Sequence, residues 1–185
     1  MENKRKFMPA LFAFLMMQAA FLSATPAKTK NRAPGEAYTR NYEVRITKVV
    51  DGDTVDVDFL EETPPGCDKF GQRVRLIGVD TPEYYKKVKQ PYAEEAKEYT
   101  GRFLSERMTL RLDADTSYKD RYDRLLAYLC DKDGMMLNYD LIRYGYGRYY
   151  GKFKFRKPLM SSFKDAEEHA RKNRLGLWAI EDKKR

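Results

Sequence analysis

A single histidine, two cysteines and one tryptophan among 185 residues exclude several chemistries at once. Nucleases that work with two histidines, and His-rich zinc sites, need at least one imidazole more than His169 supplies. Cys67 and Cys130 cannot build a zinc ribbon or a four-cysteine cluster. Any metal on this chain must therefore be held mostly by oxygen, which favours hard ions such as Ca²⁺ or Mg²⁺. His169 lies among Glu167, Glu168 and Arg171, surroundings of a surface residue rather than of a Ser/His/Asp triad. Internal repeats and low-complexity tracts are also missing. Aromatic residues, by contrast, make up 14% and hydrophobic residues 42%, enough to bury a core. Lysine and arginine outnumber aspartate and glutamate by 36 to 28, a net charge of +8. The preferred partner of such a chain is a polyanion, of which nucleic acid is the commonest.

The first six residues carry Lys4, Arg5 and Lys6 against Glu2, and an apolar run from Phe7 to Leu22 follows. Ser23, Ala24, Thr25, Pro26 and Ala27 come next. This order of basic start, short apolar run and small residues reads as a secretory signal peptide over residues 1–25. An uncleaved membrane anchor is the alternative, although Pro9 and Gln18 interrupt the run and it is short for a span. Residues 26–41, with Pro34 and Gly35 and no apolar periodicity, read as a flexible linker. One folded domain is expected over residues 42–180, with a basic tail at 181–185.

Within that domain Val44, Ile46 and Val49-Val50 mark a first strand that ends in Asp51-Gly52-Asp53-Thr54. Val55, Val57 and Phe59 alternate with Asp56 and Asp58, a half-buried strand with an acidic outer face. A third strand is expected over Arg73–Val79, and two more over Thr109–Leu112 and Leu125–Cys130. Helices are expected over Pro91–Glu106, Leu137–Tyr144 and Leu159–Arg174. The fold class is α+β: a five-stranded OB-type β-barrel with three helices.

Three clusters carry candidate chemistry. Asp51-Gly52-Asp53-Thr54 is a strong turn signal by itself, and an EF-hand is excluded because Val55 and Asp56 stand where a ligand and a glycine are needed. The stretch from Arg75 to Glu83 leaves two acids, Asp80 and Glu83, and one arginine at the point where a chain leaves a sheet. Asp120-Arg121-Tyr122-Asp123-Arg124 alone would be a solvated charge run. Together they supply what phosphodiester hydrolysis needs. Asp53 and Asp80 can hold a hard cation, Glu83 can take a proton from water, and two arginines can bind a phosphate whose charge is growing. Guanidinium suits this task because its planar fork donates two bonds at once.

Over roughly Tyr42 to Trp178 the chain resembles the staphylococcal nuclease family. The resemblance rests on Asp51-Gly52-Asp53-Thr54, on Arg75 through Glu83, on Asp120 to Tyr128 and on Leu175-Gly176-Leu177-Trp178. It implies an OB barrel with three helices and a Ca²⁺-dependent endonuclease of DNA and RNA that leaves 5′-hydroxyl and 3′-phosphate ends. It implies Asp53, Asp80 and the carbonyl of Thr81 as metal ligands, Glu83 as general base, and Arg75 and Arg124 as phosphate-binding residues. Arg121 and Tyr122 fall where the family contacts the nucleotide, and Asp51 where a carboxylate supports the ligands from behind.

Tyr146, Tyr149 and Tyr150 compete for the place of an aromatic that stacks on a base. The lysine-rich stretch Tyr84 to Gln90 departs from the family pattern. So does Asp123, which replaces a glycine: it either pairs with Arg124 and competes with substrate phosphate, or only shapes the turn. Two unpaired thiols are expected at Cys67 and Cys130, since a bridge demands close Cα atoms. The resulting expectation is a secreted or periplasmic monomer without a stable protein partner. A non-catalytic nucleic-acid-binding OB module is the alternative.

Overall fold

A computed structural model of the chain describes residues 40–84 and 90–182. The signal peptide and nearly all of the linker lie outside the described residues. Strands β1 (Arg40–Val49), β2 (Thr54–Phe59) and β3 (Gln72–Leu76) are followed by the two-residue strand β4 (Val79–Asp80) and helix α1 (Ala93–Phe103). Strands β5 (Met108–Leu112) and β6 (Leu125–Cys130), helix α2 (Leu137–Arg143), strand β7 (Arg148–Tyr149) and helices α3 (Lys157–Lys172) and α4 (Leu177–Asp182) complete the order.

Five strands close into a barrel in the order β1-β2-β3-β6-β5, the expected architecture. All pairs are antiparallel except β3 with β6. Closure depends on β1, which pairs with β5 through residues 40–44 and with β2 through residues 44–49. A register shift between Ile46 and Lys48 bends the strand from one partner towards the other. Tyr42, Val44, Val55, Val57 and Phe59 point inward at alternate positions and are buried. The acidic outer face of β2 is neutralised across the sheet: Asp56 pairs with Arg73 at 2.8 Å and Asp58 with Arg45 at 3.1 Å. Strand β6 is buried at every position, so alternation is absent from its sequence.

Several boundaries differ from the sequence reading. Strand β1 begins at Arg40, two residues inside the expected linker, because Arg40 and Asn41 pair with β5 while their exposed side chains give no apolar signal. The third strand stops at Leu76, where Gly78 adopts φ +78° and the chain turns before β4. A Cβ at Gly78 would approach Phe163 of α3 to 2.7 Å, so the turn also needs a residue without a side chain. Helix α1 starts at Ala93 because Tyr92 sits at φ +71°, and it stops at Phe103 because Leu104 is extended. To the three expected helices the structure adds the short α4, which continues two residues into the expected tail. Cys67 and Cys130 are free thiols, as expected.

The C-terminal third is fastened to the site by β4 and β7, which pair Val79 with Tyr149 and Asp80 with Arg148. Two guanidinium groups lie over the indole of Trp178, Arg148 at 4.5 Å and Arg171 at 3.9 Å. Glu167 of α3 accepts from the Tyr149 amide and from Arg171. This network holds β7 against α3 and α4.

Candidate active site

The Asp51–Thr54 turn is folded tightly against helix α1. Thr100 Oγ1 donates to the Gly52 carbonyl at 2.6 Å, and the Asp53 amide donates to Asp51 Oδ1 at 3.2 Å. A Cβ on Gly52 would lie within 3 Å of Thr81 and of Ala96, so only glycine permits this approach. The turn delivers Asp53 to the place where β3 gives way to β4. There the Leu76 amide donates to the Asp53 carbonyl at 2.8 Å.

Arg75 is the centre of the site. Its Nη1 lies 3.0 Å from Asp53 Oδ2 and its Nη2 2.9 Å from Asp80 Oδ1. Nη1 also donates to the carbonyls of Leu76 and Val79. One buried guanidinium thus ties the first and second sequence clusters together (Arg75 is 6% exposed, Asp53 4%). Asp53 Oδ2 further accepts from the Thr81 amide at 2.6 Å, and Thr54 Oγ1 donates to Oδ1. Burial pushes the Asp53 carboxyl up to about 7 against the pull of Arg75. Asp51 adds repulsion, the Thr81 amide partly offsets it, and Asp80 adds more.

Asp80 is half exposed while Asp53 is buried. A cavity of about 240 Å³ opens beside Asp80 and Thr81, with Gln90, Pro91, Arg148 and Ile180 also on its wall. Among the described residues, no three His, Cys, Asp or Glu side chains come together as a metal-holding group. The fit to a hard cation therefore rests on two carboxylates that already share one cationic centre, the Arg75 guanidinium. One further observation agrees with it: a buried Thr81 hydroxyl oxygen without a partner. Asp53, Asp80 and Thr81 are the residues that would hold such an ion. Asp51 touches the turn backbone, so it shapes the position of Asp53.

The second arginine belongs to a separate group. Arg124 is held by Asp120, which accepts from its Nε at 2.8 Å, from its Nη2 at 2.7 Å and from its amide. Burial alone would raise the Asp120 carboxyl; the bonds from Arg124 and from the Tyr122 amide outweigh it and hold it below its ordinary value. Asp120 thus fixes the Arg124 side chain, a pairing hidden in what the sequence shows as a charge run. The parallel register sets Leu126 across from Arg75, and Arg124 stands two residues before Leu126. Tyr122 is 63% exposed. Arg121 donates to its hydroxyl and lies over its ring, and Arg124 lies 5.5 Å from the same ring.

The structure distinguishes the three tyrosines. Tyr146 is stacked between Tyr92 and Tyr99, at 5.5 and 4.3 Å. Tyr149 packs on Phe155. Tyr150 alone of the three has its ring against a site residue, with Arg75 5.9 Å from its centroid. Position in the sequence could not separate them, because their spacing is equally compatible with each.

Asp123 adopts φ +62°, the left-handed conformation that a glycine would take without strain. Its carboxylate pairs with Lys119 at 2.9 Å, while Arg124 is occupied by Asp120. Competition between Asp123 and substrate for Arg124 is therefore not built into the loop, and the turn-shaping reading holds. Asp123→Gly is expected to stabilise the protein by about 0.5–1 kcal/mol through relief of left-handed strain. The exposed Lys119 pair it removes contributes little. Thermal melting should rise by a few degrees while kcat/KM stays within about twofold of wild type; a kcat/KM several times higher would restore the competition reading.

Comparison with known proteins places this geometry in context. A family described as Staphylococcal nuclease homologue matches residues 73–180. The chain is 36% identical over 141 residues to a protein named Thermonuclease from Staphylococcus hyicus, covering 73% of this chain and 75% of that one. It is 34% identical over 156 residues to the Thermonuclease of Staphylococcus intermedius, covering 82% and 81%. A protein of Escherichia coli O157:H7 described as an uncharacterized endonuclease is 28% identical over 143 residues, covering 75% and 78%.

Proposed function

The chain belongs to the staphylococcal nuclease family, and from that membership we propose that it is a calcium-dependent endonuclease acting on DNA and RNA alike. Phosphodiester hydrolysis by it leaves 5′-hydroxyl and 3′-phosphate ends, and the protein acts outside the cytoplasm after export, as a monomer. The observation that carries the reading is the Arg75 fork spanning Asp53 and Asp80 at the exit of the sheet. Burying this arginine with two carboxylates is costly, and binding a phosphate on which negative charge grows gives that cost a use.

Asp53, Asp80 and the Thr81 carbonyl would hold the calcium ion, which when bound would supply Lewis acidity towards a phosphate oxygen. Glu83 takes the proton from the attacking water. Arg75 and Arg124 donate to the phosphate oxygens as negative charge grows on them, Arg75 from a position fixed by two carbonyls and two carboxylates. Tyr122, with Arg121 beside it, offers an exposed ring to the neighbouring nucleotide, and Tyr150 a second ring next to Arg75.

The test is digestion of plasmid DNA and of RNA with calcium present, followed by analysis of the ends. The fragments should accept a 5′-phosphate from polynucleotide kinase without prior dephosphorylation. Fragments that need dephosphorylation first would assign a different bond cleavage. Binding of both polymers with no cleavage would favour the binding module.

A further inference from the structure

We propose that Gln90 is a positioning residue for the catalytic step, fixing the backbone from which Glu83 reaches the attacking water. The inference rests on the reading of Glu83 as general base. Two reciprocal bonds join the residues: the Glu83 amide donates to Gln90 Oε1 at 3.0 Å, and the Gln90 amide donates to the Glu83 carbonyl at 3.2 Å. The Gln90 carbonyl in turn accepts from the amide of Ala93, the first residue of α1, at 3.1 Å. Tyr84, next after Glu83, carries Lys97 of the same helix over its ring at 4.2 Å. On the other side Glu83 follows Thr81, bonded to Asp53, and Pro82, whose ring restricts φ.

Glu83 is thus held from both directions, through Thr81 to the carboxylate cluster and through Gln90 to helix α1. Without its side chain Gln90 would keep only the backbone half of its hold on Glu83, the bond from its amide to the Glu83 carbonyl. A general base must stand within hydrogen-bond reach of its water, and small displacements of such a group cost rate steeply. The amide is also the suitable chemistry for this hold. It accepts the Glu83 N–H as a carboxylate would, yet places no negative charge beside a base whose own charge must be preserved.

The experiment is a cycle of Glu83→Gln and Gln90→Ala on the full chain, with Gln90→Glu as the conservative variant. Gln90 is exposed, so the variants keep the fold, which circular dichroism checks. Glu83→Gln alone should lower kcat by about 10²-fold or more. Gln90→Ala should lower kcat about tenfold with KM within twofold, and should cost nothing further in the Glu83→Gln background. Gln90→Glu, whose carboxylate keeps an acceptor for the Glu83 amide, should recover kcat to within about threefold with KM unchanged. A wild-type kcat in Gln90→Ala, or a full additional loss in the double variant, would overturn the positioning role and leave Glu83 as base. A wild-type kcat in Glu83→Gln would overturn the base itself, and the role of Gln90 with it.

Discussion

Arg75→Lys is expected to lower kcat/KM by about 10²–10³-fold, the cost of losing one preorganised donor to developing charge. The ammonium keeps the positive charge but has neither the length nor the planar fork to reach Asp53, Asp80 and two carbonyls together. Stability should fall as well, because Asp53 loses much of the positive charge that offsets its burial. Removing the charge entirely with Arg75→Met leaves that carboxylate unpaired and should cost about 3–5 kcal/mol. Kinetics and thermal melts measured together separate the two effects. A lysine variant that folds and cleaves at the wild-type rate would remove Arg75 from the reaction.

Chelation of divalent ions should abolish cleavage, and added calcium should restore it. Asp53→Asn and Asp80→Asn, which preserve shape and remove charge, should each lower kcat by roughly 10³-fold, equivalent to the several kcal/mol that a bound cation contributes. The two substitutions should differ in their structural consequence. Asp53 accepts from Thr81 and Thr54 inside the protein, whereas Asp80 faces the cavity on one side. Melting temperature should therefore respond more to Asp53→Asn than to Asp80→Asn. Full activity in excess chelator would exclude the metal-assisted route.

The barrel was legible because its strands alternate where one face is exposed, as in Val55 to Phe59, and because Asp-Gly marks a turn that the structure keeps. Less legible were the places where a partner distant in sequence decides the conformation. Gly78 interrupts an apolar stretch that reads as one strand; its turn lies against Phe163 of α3, a neighbour that local pattern does not contain. Strands β4 and β7 are two residues each, too short to show any period. At the site, the residue types of Asp53, Arg75 and Asp80 announced their chemistry, but not that one guanidinium joins the two acids. Asp120 and Gln90 were hidden for a related reason. Both act on backbone amides of other residues, and any polar side chain in a loop has the same appearance in the sequence.

The pairing of Asp80 with Arg148 has a consequence for the order in which the chain acquires its properties. All five barrel strands lie between Arg40 and Cys130, but the short ribbon that aligns Asp80 is completed only by Arg148 and Tyr149. The Gly78 carbonyl likewise waits for the Tyr150 amide. Synthesis proceeds from the N-terminus, and contacts this far apart are made late because a long loop must first be closed. A nascent chain that has emerged as far as Cys130 therefore carries the acids and the arginines without the strand that pairs with Asp80. The pairing around Asp80 is finished only when the C-terminal third has arrived, so an incomplete translation product holds the residues of the candidate site without all of its backbone support.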